Sequence, residues 1–194
     1  MKARRQAGFT FVETLMALLI FVLLTAVVAA GIPTAYRTYI GVVNSSNAQL
    51  ALSATTSALR DELGMAQQVA QITRNGETVV CFETPAGYWE SIGNAAEEDG
   101  HAGLIVQVYA PGATGPGEPL GEPRELVPDA SFAAARGYEG KMHLLMGPVV
   151  YADGVFTVND LKVQVEGDTL LELPKYEVRA ALAPDNAANA AVGS

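Results

Sequence analysis

Glu13 is the residue most able to do chemistry in this chain, because it is a carboxylate set inside a run of apolar side chains. Between Phe9 and Ile32 the other polar side chains are Thr10, Thr14 and Thr25, and Lys2, Arg4 and Arg5 stand just before the run. These 24 residues, at about 1.5 Å each, make about 36 Å of helix, enough to cross a hydrocarbon core of about 30 Å. A central acidic residue costs about 2.5 to 3.5 kcal/mol on an insertion scale, while each Leu, Ile, Val or Phe returns about 0.3 to 0.6. The run holds fourteen of these, worth roughly 4 to 8 kcal/mol together, so insertion prevails over the carboxylate. A carboxylate at membrane depth is a functional candidate and calls for a cation. A cut between Gly8 and Phe9 would create an α-amine four residues before Glu13, at the start of an otherwise uncharged helix. Within one chain that amine is a helical neighbour of the acid; between staggered copies, the acid of one can face the amine of the next. Since an unpaired ion in lipid is unfavourable, such pairing would favour assembly over the lone chain.

Other chemistry is poorly represented. His101 and His143 stand in unrelated contexts without companions at metal-ligand spacing. Cys81 is the single cysteine and cannot form an intrachain disulfide; it reads as a small buried residue in a strand. Gly112, Gly115 and Gly117 lack the Lys-Ser/Thr that completes a phosphate-binding loop, and there is no Gly-x-Ser-x-Gly elbow. No catalytic site, metal or cofactor is expected, and the chain does not read as an enzyme. Twelve basic against 21 acidic residues give a net charge of -9, which disfavours nucleic acid as a partner. The basic residues before the span outnumber Arg37 behind it, so the N-terminus is expected in the cytoplasm and the remainder outside.

Gly8-Phe9-Thr10-Phe11-Val12-Glu13, followed by Thr14-Leu15-Met16-Ala17-Leu18-Leu19-Ile20, resembles the class III signal of type IV pilins and pseudopilins. The resemblance covers about the first 33 residues. It implies cleavage by prepilin peptidase after Gly8, N-methylation of Phe9, and a role for Glu13 in assembly. The implied partners are that peptidase, other pilin or pseudopilin subunits, the inner-membrane assembly platform and membrane lipid. The implied function is a filament subunit, a minor pilin or pseudopilin, first in the cytoplasmic membrane and then in an extracytoplasmic fibre. A type II secretion pseudopilin and a single-pass anchored binding domain unrelated to filaments are the alternatives. A conventional signal peptide cut after Ala30 fits less well, because its apolar core should be shorter and free of acids. The disulfide common in major pilins cannot form with Cys81 alone, and the proline usual in the family some three residues before Pro33 is here Ala30.

The elements that must position these residues follow from periodicity. A basic leader (residues 1–8) precedes a membrane helix (9–32), kinked at Pro33 and continued as an amphipathic stem (33–73). Leu52, Leu59, Leu63, Ala66 and Ala70 mark the buried face, and Asn75-Gly76 is expected to close the helix. Short alternating runs over residues 74–182 predict an antiparallel sheet, giving an α+β fold. They include Val79 to Phe82, Leu104 to Tyr109, Val149 to Tyr151, Val155 to Val158 and the run from Tyr176. Asp153-Gly154 and Gly167-Asp168 are the hairpin turns. Pro111 to Pro123 reads as a long loop, Glu97-Glu98-Asp99-Gly100 as a solvated acidic turn, and 183–194 as a flexible tail. Tyr88 and Trp89 should face opposite sides of a strand, one of them in the core.

Overall fold

The computed structural model describes residues 10–74, 76–95, 103–127, 142–165 and 167–181. The chain divides into two compact units, Met1–Val42 and Val43–Ser194, a boundary later than the expected one at Pro33. Helix α1 runs Phe11–Gly64 with Pro33 inside it. In the first unit the described side chains as far as Tyr39 are all exposed.

In the second unit α1 buries Asn44, Ala48, Ala51, Thr55, Leu59 and Leu63, a stripe with steps of three and four that lies along one face. Two antiparallel sheets cover it. The first has the order β1-β2-β3-β4-β5, with β6 also on β4, from β1 (Val69–Arg74), β2 (Glu77–Glu83), β3 (Trp89–Asn94), β4 (Leu104–Pro111), β5 (Pro116–Pro119) and β6 (Arg124–Glu125). The second has the order β10-β9-β7, with β8 also on β9, from β7 (Met142–Leu145), β8 (Val149–Ala152), β9 (Val155–Val165) and β10 (Asp168–Arg179). Phe82 of one sheet meets Phe156 of the other edge to face, with centroids 6.0 Å apart, and both rings are buried beside Leu59 and Leu63. Each fully buried side chain of this size contributes about 1.5 to 3 kcal/mol, so the core dominates the stability of the unit.

The fold is α+β, as expected, but four local expectations are corrected. The stem helix does not reach residue 73. It ends at Gly64, a poor helix former, and Val69–Arg74 is strand β1, where β-branched Val69, Ile72 and Thr73 pair with β2. Ala70 therefore sits in a small cluster with Cys81, Trp89 and Tyr109, not on the helix. Arg74 pairs with Glu77, so Gly76 follows a strand and not a helix, Asn75 itself lying outside the described residues, and the helix end is met instead by the Ala181 N–H on the Gly64 carbonyl at 3.1 Å. Finally, Pro111 to Pro123 is not all loop: β5 returns along β4, pairing Pro111 with Pro116 and Tyr109 with Pro119.

The Asp153-Gly154 hairpin is present, with φ of 52° and 76°, and joins Ala152 to its partner Val155. At the second expected turn Val165 pairs with Asp168, so Asp168 belongs to β10 and not to the turn as expected.

Candidate processing and assembly site

The first turn of α1 is organised by Thr10 and Glu13. Thr10 precedes the helix, and its hydroxyl accepts the Glu13 N–H at 3.3 Å. The carboxylate of Glu13 reaches back to accept the Thr10 N–H at 2.9 Å and the Thr10 hydroxyl at 3.0 Å. This is a capping box: residue types at an i, i+3 spacing that satisfy main-chain donors which no helical carbonyl can reach. A cap of this kind is worth about 0.5 to 2 kcal/mol. The Thr-x-x-Glu spacing is plain in the sequence, yet reading Glu13 only as an ion in search of a cation overlooks it. In the lone chain Glu13 is already held by the main-chain N–H and the hydroxyl of Thr10.

The remaining polar side chains of the apolar stretch are also bonded within the helix. Thr14 donates to the Thr10 carbonyl at 3.0 Å, Thr25 to Phe21 at 2.7 Å and Thr34 to Ala30 at 3.3 Å. Such back-bonding leaves no hydroxyl of the three without a partner in lipid, where an unmet polar group is costly. The mean hydropathy of the most apolar 18-residue window is 2.9, and no part of it is buried. By length and composition α1 can cross a membrane. Gly8 and Phe9 lie outside the described residues, so the geometry of the bond between them is not part of this picture.

Residues 3–29 match the prokaryotic N-terminal methylation motif. The chain carries a prepilin-type N-terminal motif. The match takes in Gly8, Phe9, Thr10 and Glu13 and most of the apolar stretch. Such a motif is of the kind that implies processing by prepilin peptidase and assembly with other pilins, and together with the apolar helix it fits a membrane-anchored pilin. No curated protein and no solved structure matches the chain.

Elsewhere the structure separates the candidates of the sequence. Cys81 is a free, buried cysteine; burial pushes its thiol up to about 12, against a smaller opposing effect of Arg74, so it stays protonated and inert near neutrality. Trp89 is buried and Tyr88 is 47% exposed, the two-faced arrangement expected of adjacent strand residues. His143 is exposed on β7; His101 and the acidic turn at Glu97 to Gly100 fall outside the described residues.

Proposed function

We propose that the precursor is cut between Gly8 and Phe9, methylated on Phe9, and built through its N-terminal helix into a type IV pilus-like fibre as a minor pilin or pseudopilin. It has no catalytic activity of its own in this reading. The observation that carries the proposal is the coincidence of the methylation motif at residues 3–29 with an exposed apolar stretch of helix whose first turn is capped by Thr10 and Glu13. An exposed helix of this kind is unstable in water and needs either lipid or the apolar faces of other helices. A membrane supplies the first before assembly and a fibre core supplies the second afterwards. The basic leader orients the precursor with its N-terminus in the cytoplasm and the second unit outside.

Glu13 then has two partners in succession. Before assembly it caps its own helix through Thr10; in the fibre its charge attracts the α-amine of Phe9 on a neighbouring subunit. Pro33 lacks the N–H that would meet the Ala29 carbonyl and supplies the bend expected where the helix leaves the apolar layer.

The test is the intact mass of the mature protein. It should correspond to a chain that begins at Phe9 and carries one added methyl group, and Gly8→Val, which crowds the scissile bond, should leave the precursor uncut. A mature chain beginning at Gly31 would overturn the reading in favour of an ordinary signal peptide.

A further inference from the structure

The ladder between β2 and β3 stops early. It consists of Cys81↔Ser91, Phe82↔Glu90 and Glu83↔Trp89. Yet β2 remains paired with β1 as far back as Glu77, and β3 remains paired with β4 as far as Asn94. Each strand therefore runs on past the shared ladder with support on its far side only, and the sheet forks. A cavity of about 670 Å³ lies in the fork, with Thr78–Val80 on one wall and Ile92–Asn94 on the other.

The direction of the main-chain groups along these walls follows from neighbouring bonds. The Glu83 N–H bonds Gln68 on the β1 side at 2.9 Å, while the Thr84 N–H bonds Tyr88 on the β3 side at 2.8 Å. Since alternate residues of a strand turn their N–H and C=O to alternate sides, Thr78 turns its own toward the fork. On the other wall the Ala95 N–H bonds Gly103 beside β4 at 2.9 Å, so Asn94 likewise faces the fork. No ladder pair joins Thr78 to Asn94.

One wall of the fork is anchored. The carboxamide of Asn94 donates to the Met146 carbonyl at 2.8 Å and accepts the Met146 N–H at 2.9 Å, gripping the connector between β7 and β8 by both main-chain groups. From the other side the Gly147 N–H bonds the Asn159 carbonyl at 2.7 Å, and Asn159 donates to the Pro148 carbonyl at 3.3 Å. A Cβ at Gly147 would stand 3.0 Å from that Asn159 oxygen, so the connector is pressed against β9 and cannot be moved further that way. In the cavity lining, the buried hydroxyls of Ser91 and Tyr109 share one hydrogen bond at 3.2 Å. That bond uses one of their two protons and leaves the other for an acceptor. Glu77 is the one charged side chain among the described residues that line the cavity.

We propose that this fork is a docking slot for an extended polypeptide segment of a partner protein, with uncharged or basic side chains, which enters as an added strand between β2 and β3. The walls select the occupant. They present main-chain donors and acceptors on two facing edges, and a polypeptide strand offers the matching pattern to both, at about 3.4 Å per residue. Asn94 already recognises main-chain groups in this way at Met146, and the pinned connector keeps that wall ordered before an occupant arrives. Glu77 excludes an acidic segment from the mouth and favours a basic one.

The experiment is hydrogen–deuterium exchange on the full chain in detergent micelles. The probe is a capped peptide, acetyl-Lys-Thr-Val-Thr-Val-Thr-Lys-amide, compared with the same peptide N-methylated at both valines. The plain peptide should slow exchange at Thr78 and Asn94 by about tenfold or more, as newly bonded strand amides do, and the N-methylated peptide should not. Absence of slowing at these two residues with excess plain peptide overturns the proposal, as does equal slowing by the N-methylated peptide. Slowing that follows the concentration of the chain alone, without peptide, would assign the slot to a second copy and also overturn it.

Discussion

Tyr176 on β10 donates its hydroxyl to the main-chain carbonyl of Thr56 on α1 at 3.0 Å, so the edge strand of the second sheet is hydrogen-bonded directly to the helix. The ring packs partly buried against the core beside this bond. Tyr176→Phe keeps the ring and removes the bond, and should lower stability by about 0.5 to 1.5 kcal/mol. Tyr176→Ala removes both and should lower it by at least twice as much as Tyr176→Phe. Denaturant unfolding followed by the fluorescence of Trp89, the single buried tryptophan, reads both values. Equal effects of the two substitutions would mean that the ring contributes nothing.

Arg124 on β6 lies between Glu62 of α1 and Glu90 of β3 and pairs with both. Burial pushes the Glu90 carboxyl above its ordinary range and the nearby Glu62 adds to this, while Arg124 opposes it. A carboxyl raised in this way holds its proton in the folded state at pH values where the unfolded chain has lost it. Its contribution to stability is present below the unfolded value and is lost as pH rises through the folded one. Relative to Glu90→Gln, which does not titrate, the wild type should therefore lose thermal stability as pH rises above the ordinary carboxyl range of about 4. Arg124→Met removes the opposing charge and should make that loss steeper. Melting curves at several pH values decide the matter; a constant difference between wild type and Glu90→Gln would show that Glu90 titrates like a free carboxylate.

What the sequence shows plainly is what a single local pattern determines. The apolar span, the capping residues, the Asp153-Gly154 turn and the alternating strands all have signals within a dozen residues. The errors arise where two local readings compete and only tertiary contact decides. Ala66 and Ala70 continue a helical spacing, yet Val69, Ile72 and Thr73 suit a strand, and pairing with β2 settles the choice. Asn75-Gly76 serves equally as a helix stop or a hairpin turn until the strands on either side are known. The runs on either side of Pro174 look like separate strands because their buried parity changes. In the structure they form one strand, β10, and β9 changes parity at Asp160, which has φ of 48° and faces Pro174 between the pairs Leu173↔Leu161 and Lys175↔Asn159. Proline is tolerated there because β10 is an edge. The fork between β2 and β3 has no signal at all in the sequence, since it depends on which strand ends fail to meet.

The turn at Asp153-Gly154 offers a test of strain without loss of packing. Both residues have positive φ, which suits the right-handed twist of a hairpin and disfavours side chains with a Cβ. The Gly154 carbonyl also accepts the Ala180 N–H at 3.0 Å, tying the end of β10 to this turn. Gly154→Ala should therefore cost about 1 to 2 kcal/mol. Asp153→Gly, which relaxes the other strained position, should change stability by much less. Unfolding midpoints of the two variants separate these outcomes, and a neutral Gly154→Ala would mean that the turn relaxes away from its positive φ.

The two roles assigned to Glu13 can be separated because the cap needs an acceptor while the pairing needs a charge. In Glu13→Gln the carboxamide oxygen can still accept the Thr10 N–H, so the capping box survives without the charge. Glu13→Val loses both, and Thr10→Val keeps the charge while losing the hydroxyl that accepts the Glu13 N–H. Cleavage should persist in all three, because the peptidase acts on the other side of Phe9. If the attraction to a neighbour's α-amine drives assembly, Glu13→Gln and Glu13→Val should both lower the fibre-associated fraction severalfold, and Thr10→Val should lower it less. Leu18→Ile, a neutral change on the same helix, serves as the reference. The measurement is the fibre-associated fraction of each variant against its total membrane level, with processing verified by intact mass. Wild-type incorporation of Glu13→Gln combined with failure of Glu13→Val would refute the charge pairing and leave the carboxylate of Glu13 with a single task, the capping of its own helix.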